Sequence, residues 1–208
     1  MEEENTAMKL YSHPMSSCAR RVRLALSLKG LKYECINVDN PLEDPELLKI
    51  NPMGYVPALV DGSIVVSDSY AILLYLEEKY SQHALLPQNI IKRSINYQVS
   101  SIVSSSIQPL QNTNIVDYIE EIAGPDEKLA WAKYHIRNGF VALEKLLVNY
   151  AAKYATGDEI YLGDLFLAPQ LYNAICLYKL DMTEFPILLK LNKTYNEMPS
   201  FQQIMAES

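Results

Sequence analysis

The chain has 208 residues, 49 % of them hydrophobic and 21 % charged, with a formal net charge of −7. That is enough chain to bury a core in one domain or two small ones, and the acidic balance argues against nucleic acid or an anionic membrane surface as the main partner. No apolar run approaches the roughly 20 residues that span a bilayer, Met1–Asn5 is acidic where a leader peptide is basic, and the three cysteines (Cys18, Cys35, Cys176) lack zinc or CxxC spacing; a reduced, cytoplasmic protein without a bound metal is expected.

Lys9–Ser12 is a short strand candidate. After a polar turn, residues Cys18, Val22, Ala25, Leu26 and the stem of Lys29 recur at helical spacing, and Gly30 suits the position just past a helix end. Tyr33–Val38 alternates as a strand does, and a short helix is expected from Pro45. Asp61-Gly62 between the apolar runs Ala58–Val60 and Ser63–Ser67 signals a hairpin, and Ser67–Tyr70 opens a helix that ends near Tyr80. The order strand, helix, strand, hairpin, helix predicts an α/β thioredoxin-like domain over residues 1–82. Residues 83–88 read as a linker, and residues 89–208 as an all-helical domain. There, one or two long helices run from Asn89 to about Glu121 with Pro109 as a break. A helix over Glu127–Lys153 places Leu129, Ile136, Phe140, Leu143 and Leu147 on one side, and a strongly apolar central helix spans Leu162–Tyr178. Two short helices follow Pro186 and Pro199.

Three short stretches combine capping chemistry with chemistry that a ligand could use. Ser16-Ser17-Cys18 stands where a strand hands over to a helix N-terminus. Serine is a favoured N-cap there, and the same backbone N–H groups favour a bound anion or thiolate. Val56-Pro57 precedes a strand; in a thioredoxin-like domain the proline at this place is typically cis, leaving the Val56 backbone open to pair with a peptide-like ligand. Asp68-Ser69 caps the next helix and could also hold an α-ammonium and a carboxylate. A ligand with an amine and a carboxylate at one end, a backbone-like middle and a thiol suits all three, and glutathione fits that description.

The motifs then carry a family resemblance. Ser16-Ser-Cys-Ala-Arg-Arg-Val-Arg-Leu-Ala-Leu26, Asn51-Pro-Met-Gly-Tyr-Val-Pro57, Asp68-Ser-Tyr-Ala-Ile72, Ile107-Gln-Pro-Leu-Gln-Asn112 and Gly157-Asp-Glu-Ile-Tyr-Leu-Gly-Asp-Leu-Phe-Leu-Ala-Pro169 run in order across nearly the whole chain. Together they resemble the zeta class of glutathione transferases, which includes maleylacetoacetate isomerase. The resemblance implies the glutathione transferase fold, glutathione as cofactor, a small electrophilic substrate and a homodimer. It implies a catalytic cluster of Ser16, Ser17 and Cys18, with Ser16 donating to the glutathione sulfur. It assigns the cysteinyl backbone of glutathione to Val56, the γ-glutamyl end to Asp68 and Ser69, and a polar contribution from the helical domain to Gln111. A reaction in which the thiolate adds to a maleyl double bond, the adduct rotates and elimination releases the trans isomer would place the protein in aromatic amino acid catabolism. Displacement of halide by the same nucleophile would be detoxification.

The chain departs from the pattern at its substrate end. Met15 replaces an arginine before the Ser-Ser-Cys run, and Arg20 replaces an aromatic residue or histidine. No arginine follows Arg137, so the substrate-carboxylate arginine expected after the Ala-Pro motif is missing, and the 40–49 loop is short. Two alternatives follow: a Cys18-based glutathione-dependent thiol transferase or dehydroascorbate reductase, and a non-catalytic glutathione-binding protein. Asp164 reads as a buried helix cap, the 15 tyrosines as core and dimer packing, His13 as a solvated loop residue, and Cys35 and Cys176 as buried thiols.

Overall fold

The computed structural model describes residues 7–206, and the acidic Met1–Asn5 lies outside them. The chain divides into two compact units, one comprising residues up to Leu85 together with residues from Ser200 onward, the other Leu86–Pro199. The C-terminal helix therefore groups with the first unit rather than with the residues 89–208 of the expected helical domain.

The first unit has the thioredoxin-like arrangement. Strands β1 (Lys9–Ser12), β2 (Glu34–Asn37), β3 (Ala58–Asp61) and β4 (Ile64–Ser67) form a sheet of order β2-β1-β3-β4, with β1 parallel to β2 and antiparallel to β3. The parallel pair needs a crossover, which α1 (Ser17–Leu28) supplies. The hairpin turn is one residue later than expected: Asp61 still pairs with Ile64, leaving Gly62-Ser63 as the loop, with Gly62 at φ +63°. Asp61 then has a further task. Its Oδ2 accepts from Tyr75 Oη, Lys79 Nζ and Tyr80 Oη, which ties the hairpin to α3 (Ser69–Lys79). The short α2 (Pro45–Ile50) starts on its Asp44 cap, and its Leu47 packs with Val38 and Ala58.

Helix α1 is buried on more than the one face that an amphipathic stripe predicts. Arg20, Arg21 and Arg23 are 0 %, 1 % and 7 % exposed. Lys29 is buried too, and its ammonium donates to the carbonyls of Tyr80, Gln82 and His83 while pairing with Glu77. It thus satisfies the C-cap carbonyl of α3 and two carbonyls of the loop beyond it rather than those of its own helix.

In the helical unit, α4 (Ile90–Ser101) continues into a π-helical stretch, Ile102–Ile107, and a 3-10 turn, Gln108–Gln111, that holds Pro109. Helices α5 (Thr113–Ala123), α6 (Pro125–Leu147), α7 (Leu162–Tyr172) and α8 (Pro186–Asn196) follow, and α9 (Pro199–Ala206) ends the chain. α6 stops earlier than Lys153. Its buried stripe uses Ala132, Ile136, Gly139, Phe140, Leu143 and Leu147, whereas Leu129 is 43 % exposed. Gly139 is there for space: a Cβ at this position would overlap the side chain of Ile107. α7 is the central helix, buried from Leu162 through Leu171, and packs on α4 and α8.

Asp164 in its first turn is fully buried. It accepts from the Ala155 and Tyr161 N–H groups and from Tyr195 Oη at 2.6 Å. Burial pushes its carboxyl up to about 6 against those hydrogen bonds. Of the tyrosines, Tyr154 and Tyr195 are buried as core packing requires, whereas Tyr55, Tyr97, Tyr118 and Tyr134 are exposed on the single chain. Cys35 and Cys176 are exposed rather than buried: Cys35 lies on the edge strand β2, exposed along with its neighbour Glu34, and Cys176 lies toward the exposed C-terminal end of the π-helical segment Asn173–Leu177.

Candidate functional site

The strand register brings the three predicted stretches to one end of the sheet. Tyr11 in β1 pairs with Ala58 in β3, and Ala58 pairs with Ser67 in β4. The chain leaves β1 toward Ser16, enters β3 from Val56, and leaves β4 into Asp68, so all three lie beyond the same edge of the ladder.

Ser16 is the N-cap of α1. Its extended backbone lets Oγ accept from Ala19 N–H at 3.2 Å, as its C=O accepts from Arg20 N–H. This cap occupies one lone pair of the hydroxyl and leaves its proton available, so capping and donation to a sulfur are compatible uses of one group. Ser17 is buried and Cys18 half-buried beside it. His13 receives Met15 N–H on its Nδ1 at 3.1 Å, so it braces the turn instead of simply facing solvent.

The Val56–Pro57 peptide bond is cis. Val56 is half-buried, and its N–H and C=O take part in no turn, loop or ladder hydrogen bond among the described residues. Its side chain packs on the Val38, Leu47 and Ala58 cluster, which holds its backbone in place.

Asp68 caps α3, Oδ1 accepting from Tyr70 and Ala71 N–H at 2.8 and 3.1 Å. Its backbone is at φ 73°, ψ 126°, a conformation that a non-glycine residue adopts only at a cost of about 1–3 kcal/mol. Asp68 is exposed, while Ser69 next to it is buried and accepts from Arg21 Nη1 at 3.2 Å. Burial draws the Arg21 pKa down, and the neighbouring Cys18 and Asp68 push it back up. Arg21 is the residue that sequence reasoning missed. The signal was its place three residues after Cys18, on the same helix face, but a charged residue in a basic run reads as solvated.

Gln111 lies in the helical unit. Its amide is buried and exchanges hydrogen bonds with Gln170, at 2.8 Å from Nε2 and 3.2 Å to Oε1, while its carbonyl accepts from Tyr178 Oη. Both ends of the side chain are engaged within the unit. A separate groove between α5 and α6, lined by Ile119, Trp131, Tyr134 and His135, contains none of the predicted residues. Arg137 is in a bidentate pair with Glu184, at 2.8 and 2.9 Å.

Comparisons with known proteins bear on the family rather than on the individual site residues. Residues 10–84 match the family model described as glutathione S-transferase, N-terminal domain. A glutathione S-transferase zeta class protein of Euphorbia esula is 57 % identical over 204 residues, 96 % of this chain and 90 % of the relative. Maleylacetoacetate isomerase of Rattus norvegicus is 41 % identical over 199 residues, covering 93 % of this chain and 89 % of that one. Among solved structures, maleylacetoacetate isomerase from Anaeromyxobacter dehalogenans with GSH bound in its active site superposes with a TM-score of 0.85 at 35 % identity, covering 95 % of this chain and 94 % of that one. The same protein has also been crystallised with dicarboxyethyl glutathione and citrate in the active site.

Proposed function

The chain belongs to the zeta class of glutathione transferases, and on that premise we propose that it uses Ser16 to hold glutathione as a thiolate and adds that sulfur to small electrophiles, among them a maleyl dicarboxylate that leaves as its trans isomer. The supporting observation is Ser16 itself, a helix cap that keeps its proton, at the sheet edge shared with Val56 and Asp68.

The magnitudes are adequate. Bringing a thiol of pKa about 8.5 to near 7 requires about 2 kcal/mol in favour of the thiolate. A hydrogen bond to a charged sulfur contributes about 1.5–3 kcal/mol, and a helix N-terminus adds about 0.3–1 kcal/mol. The thiol proton leaves to solvent, and Ser16 donates its own hydrogen bond to the sulfur without giving up the proton. The sulfur adds to one alkene carbon, and the electron pair of the double bond moves onto the adjacent carbonyl as an enolate. The former double bond rotates. Collapse of the enolate then expels the thiolate and re-forms the double bond as trans, so glutathione is regenerated. The Anaeromyxobacter protein's dicarboxyethyl glutathione is an adduct of this kind.

In this reading Val56 pairs with the cysteinyl backbone, and Asp68 with Ser69 holds the γ-glutamyl end. Ser17 and Cys18 shape the thiol pocket. Gln111 contributes indirectly, through its pairing with Gln170. The substrate carboxylates meet fewer cations than in a typical zeta isomerase, since Arg137 is committed to Glu184 and Arg20 is buried. Turnover of a dicarboxylate is therefore expected to be tens-fold weaker, on the basis of about 1.5–3 kcal/mol per missing charge-assisted bond.

A homodimer in the cytoplasm completes the proposal. The edge strand β4 exposes Ile64 and Val65, and α4 exposes Ile90, Ile91 and Tyr97, apolar faces suited to a second copy. The three cysteines are free, as a reducing compartment requires. Among the described residues no helix is long and apolar enough to cross a membrane.

The test is an assay of purified protein with glutathione and a maleyl dicarboxylate, beside dichloroacetate and an aryl halide, in the wild type and Ser16→Ala. A fall of roughly 10–150-fold in all three activities is expected in the variant, and full activity in Ser16→Ala would sink the proposal. Light scattering on the same sample reports the oligomeric state.

A further inference from the structure

Arg21 links two parts of the first unit that the ligand reading treats separately. It lies on α1, three residues beyond Cys18, and is 1 % exposed. Its Nη1 donates to Ser69 Oγ at 3.2 Å, across to the first turn of α3. Ser69 is itself 4 % exposed, so this bond lies beneath the surface. Cys18 and Asp68 are both close enough to Arg21 to favour its charged form.

Burying a guanidinium costs several kcal/mol, and an alkyl side chain of similar volume would avoid that cost. What the guanidinium supplies is directional. A serine hydroxyl has one proton and two lone pairs. A charged donor resting on one lone pair bars the proton from that side. It also polarises the O–H bond, so the hydroxyl becomes a stronger donor on its free side. The wanted partner on that side is an anion.

We infer that Arg21 is a positioning residue of the glutathione site, which through its Nη1–Ser69 Oγ bond fixes Ser69 as a one-way hydrogen-bond donor to the γ-glutamyl carboxylate. The inference rests on Asp68 and Ser69 being the γ-glutamyl anchor. It extends that reading by giving α1 both ends of the ligand: Ser16 at its start for the sulfur, and Arg21 one turn later for the carboxylate, acting through α3. Lysine is not an equivalent here, because its rotatable ammonium lacks the flat fork that fixes the donor's direction.

The experiment is an equilibrium titration of the wild type, Arg21→Lys, Ser69→Ala and the double variant with two ligands. One is glutathione, and the other is cysteinylglycine, which lacks the γ-glutamyl group. Arg21→Lys should weaken glutathione about tenfold, the lower end for a charge-assisted hydrogen bond, and cysteinylglycine less than about twofold. In the Ser69→Ala background, Arg21→Lys should have no further effect on glutathione. Equal losses for both ligands, or additive losses in the double variant, would overturn the positioning role. Ser69→Ala binding glutathione as tightly as the wild type would instead remove the γ-glutamyl reading beneath it. A second measurement needs no Arg21 variant. The guanidinium nitrogen resonances of Arg21 should shift when glutathione saturates the wild type and stay still in glutathione-saturated Ser69→Ala; unmoved resonances in the wild type would also overturn the inference.

Discussion

Asp68 carries two opposed contributions to stability and one to binding, and three substitutions separate them. Its Oδ1 caps α3 through two N–H groups, and replacing such a cap with alanine costs about 1 kcal/mol. Its backbone at φ 73°, ψ 126° costs about 1–3 kcal/mol in any residue with a Cβ. Asp68→Ala therefore loses the cap and keeps the strain. Asp68→Gly loses the side-chain cap but relieves the strain, and glycine is itself only a few tenths of a kcal/mol worse than aspartate as a cap. Asp68→Asn keeps an oxygen for the two N–H groups and gives up the charge, worth about 0.3–1 kcal/mol at a helix N-terminus.

The expected stability order is Gly at or above wild type, Asn slightly below it, and Ala lowest by about 1–2 kcal/mol. For a chain of 208 residues that gap is about 2–8 °C in Tm. Binding should follow a different order. All three variants lose the carboxylate that the proposed function assigns to the γ-glutamyl ammonium, so on that reading each should weaken glutathione by roughly 10–150-fold. Thermal melts and calorimetric titration of the same preparations read both. If Asp68→Gly melted below Asp68→Ala, the strain argument would be wrong. If Asp68→Asn bound glutathione like the wild type, the carboxylate would have no role in the site.

Three further outcomes follow from the same contacts. Ser16→Ala should lower kcat/KM at pH 7 by roughly 10–150-fold and Cys18→Ser by at least tenfold less; the reverse order in stopped assays with an aryl halide would move the chemistry to Cys18. Gly139→Ala places a Cβ against Ile107, so it should destabilise the helical unit by about 1–3 kcal/mol even though alanine is the better helix former by about 1 kcal/mol; a denaturant midpoint at or above the wild type's would show that Ile107 yields freely. Asp164, held at about 6 in the folded chain against an ordinary value near 3.9, binds its proton more tightly folded than unfolded. Its contribution to stability is thus fully present below about pH 4 and is lost as pH rises through about 6. The stability of the wild type relative to Asp164→Asn should grow on acidification from pH 7 to pH 5, and a difference that shrinks would refute the shift.

The fold was legible because its signals are local. The hairpin, the helix after it and the prolines that start α8 and α9 all follow from neighbouring residues. What escaped depends on residues far apart in the chain. Leu129 has the spacing of a core residue but is exposed, because the stripe of α6 is centred on Ala132 and Gly139, and the latter is set by how close Ile107 comes. Cys35 was expected in the core because a lone thiol usually is, yet β2 is an edge strand and turns it outward. Arg21 is the same error at higher stakes: a cation in a basic stretch whose partner Ser69 lies 48 residues away on α3. The helical spacing of α1 does place the stem of Lys29 on the buried stripe, but its ammonium's partners, 48 or more residues away on or just beyond α3, are not legible from that spacing.

The site itself was ambiguous in the sequence for a reason the structure makes plain. Ser16 and Asp68 are both helix caps, and capping is a sufficient account of either residue by itself. A hydroxyl that accepts from Ala19 N–H still has a proton to give, and a carboxylate that receives Tyr70 and Ala71 N–H on Oδ1 still has Oδ2. The cap consumes one part of each group and, by fixing the side chain, aims the other part. Ser69 follows the same logic with Arg21 in place of the backbone: one face of its hydroxyl is taken so that the other is determined. In the proposed site, capping and recognition are therefore one arrangement counted twice, and the sheet register that brings Tyr11, Ala58 and Ser67 side by side is what puts two helix caps and the cis-proline turn at one end of the sheet, where one ligand could span them.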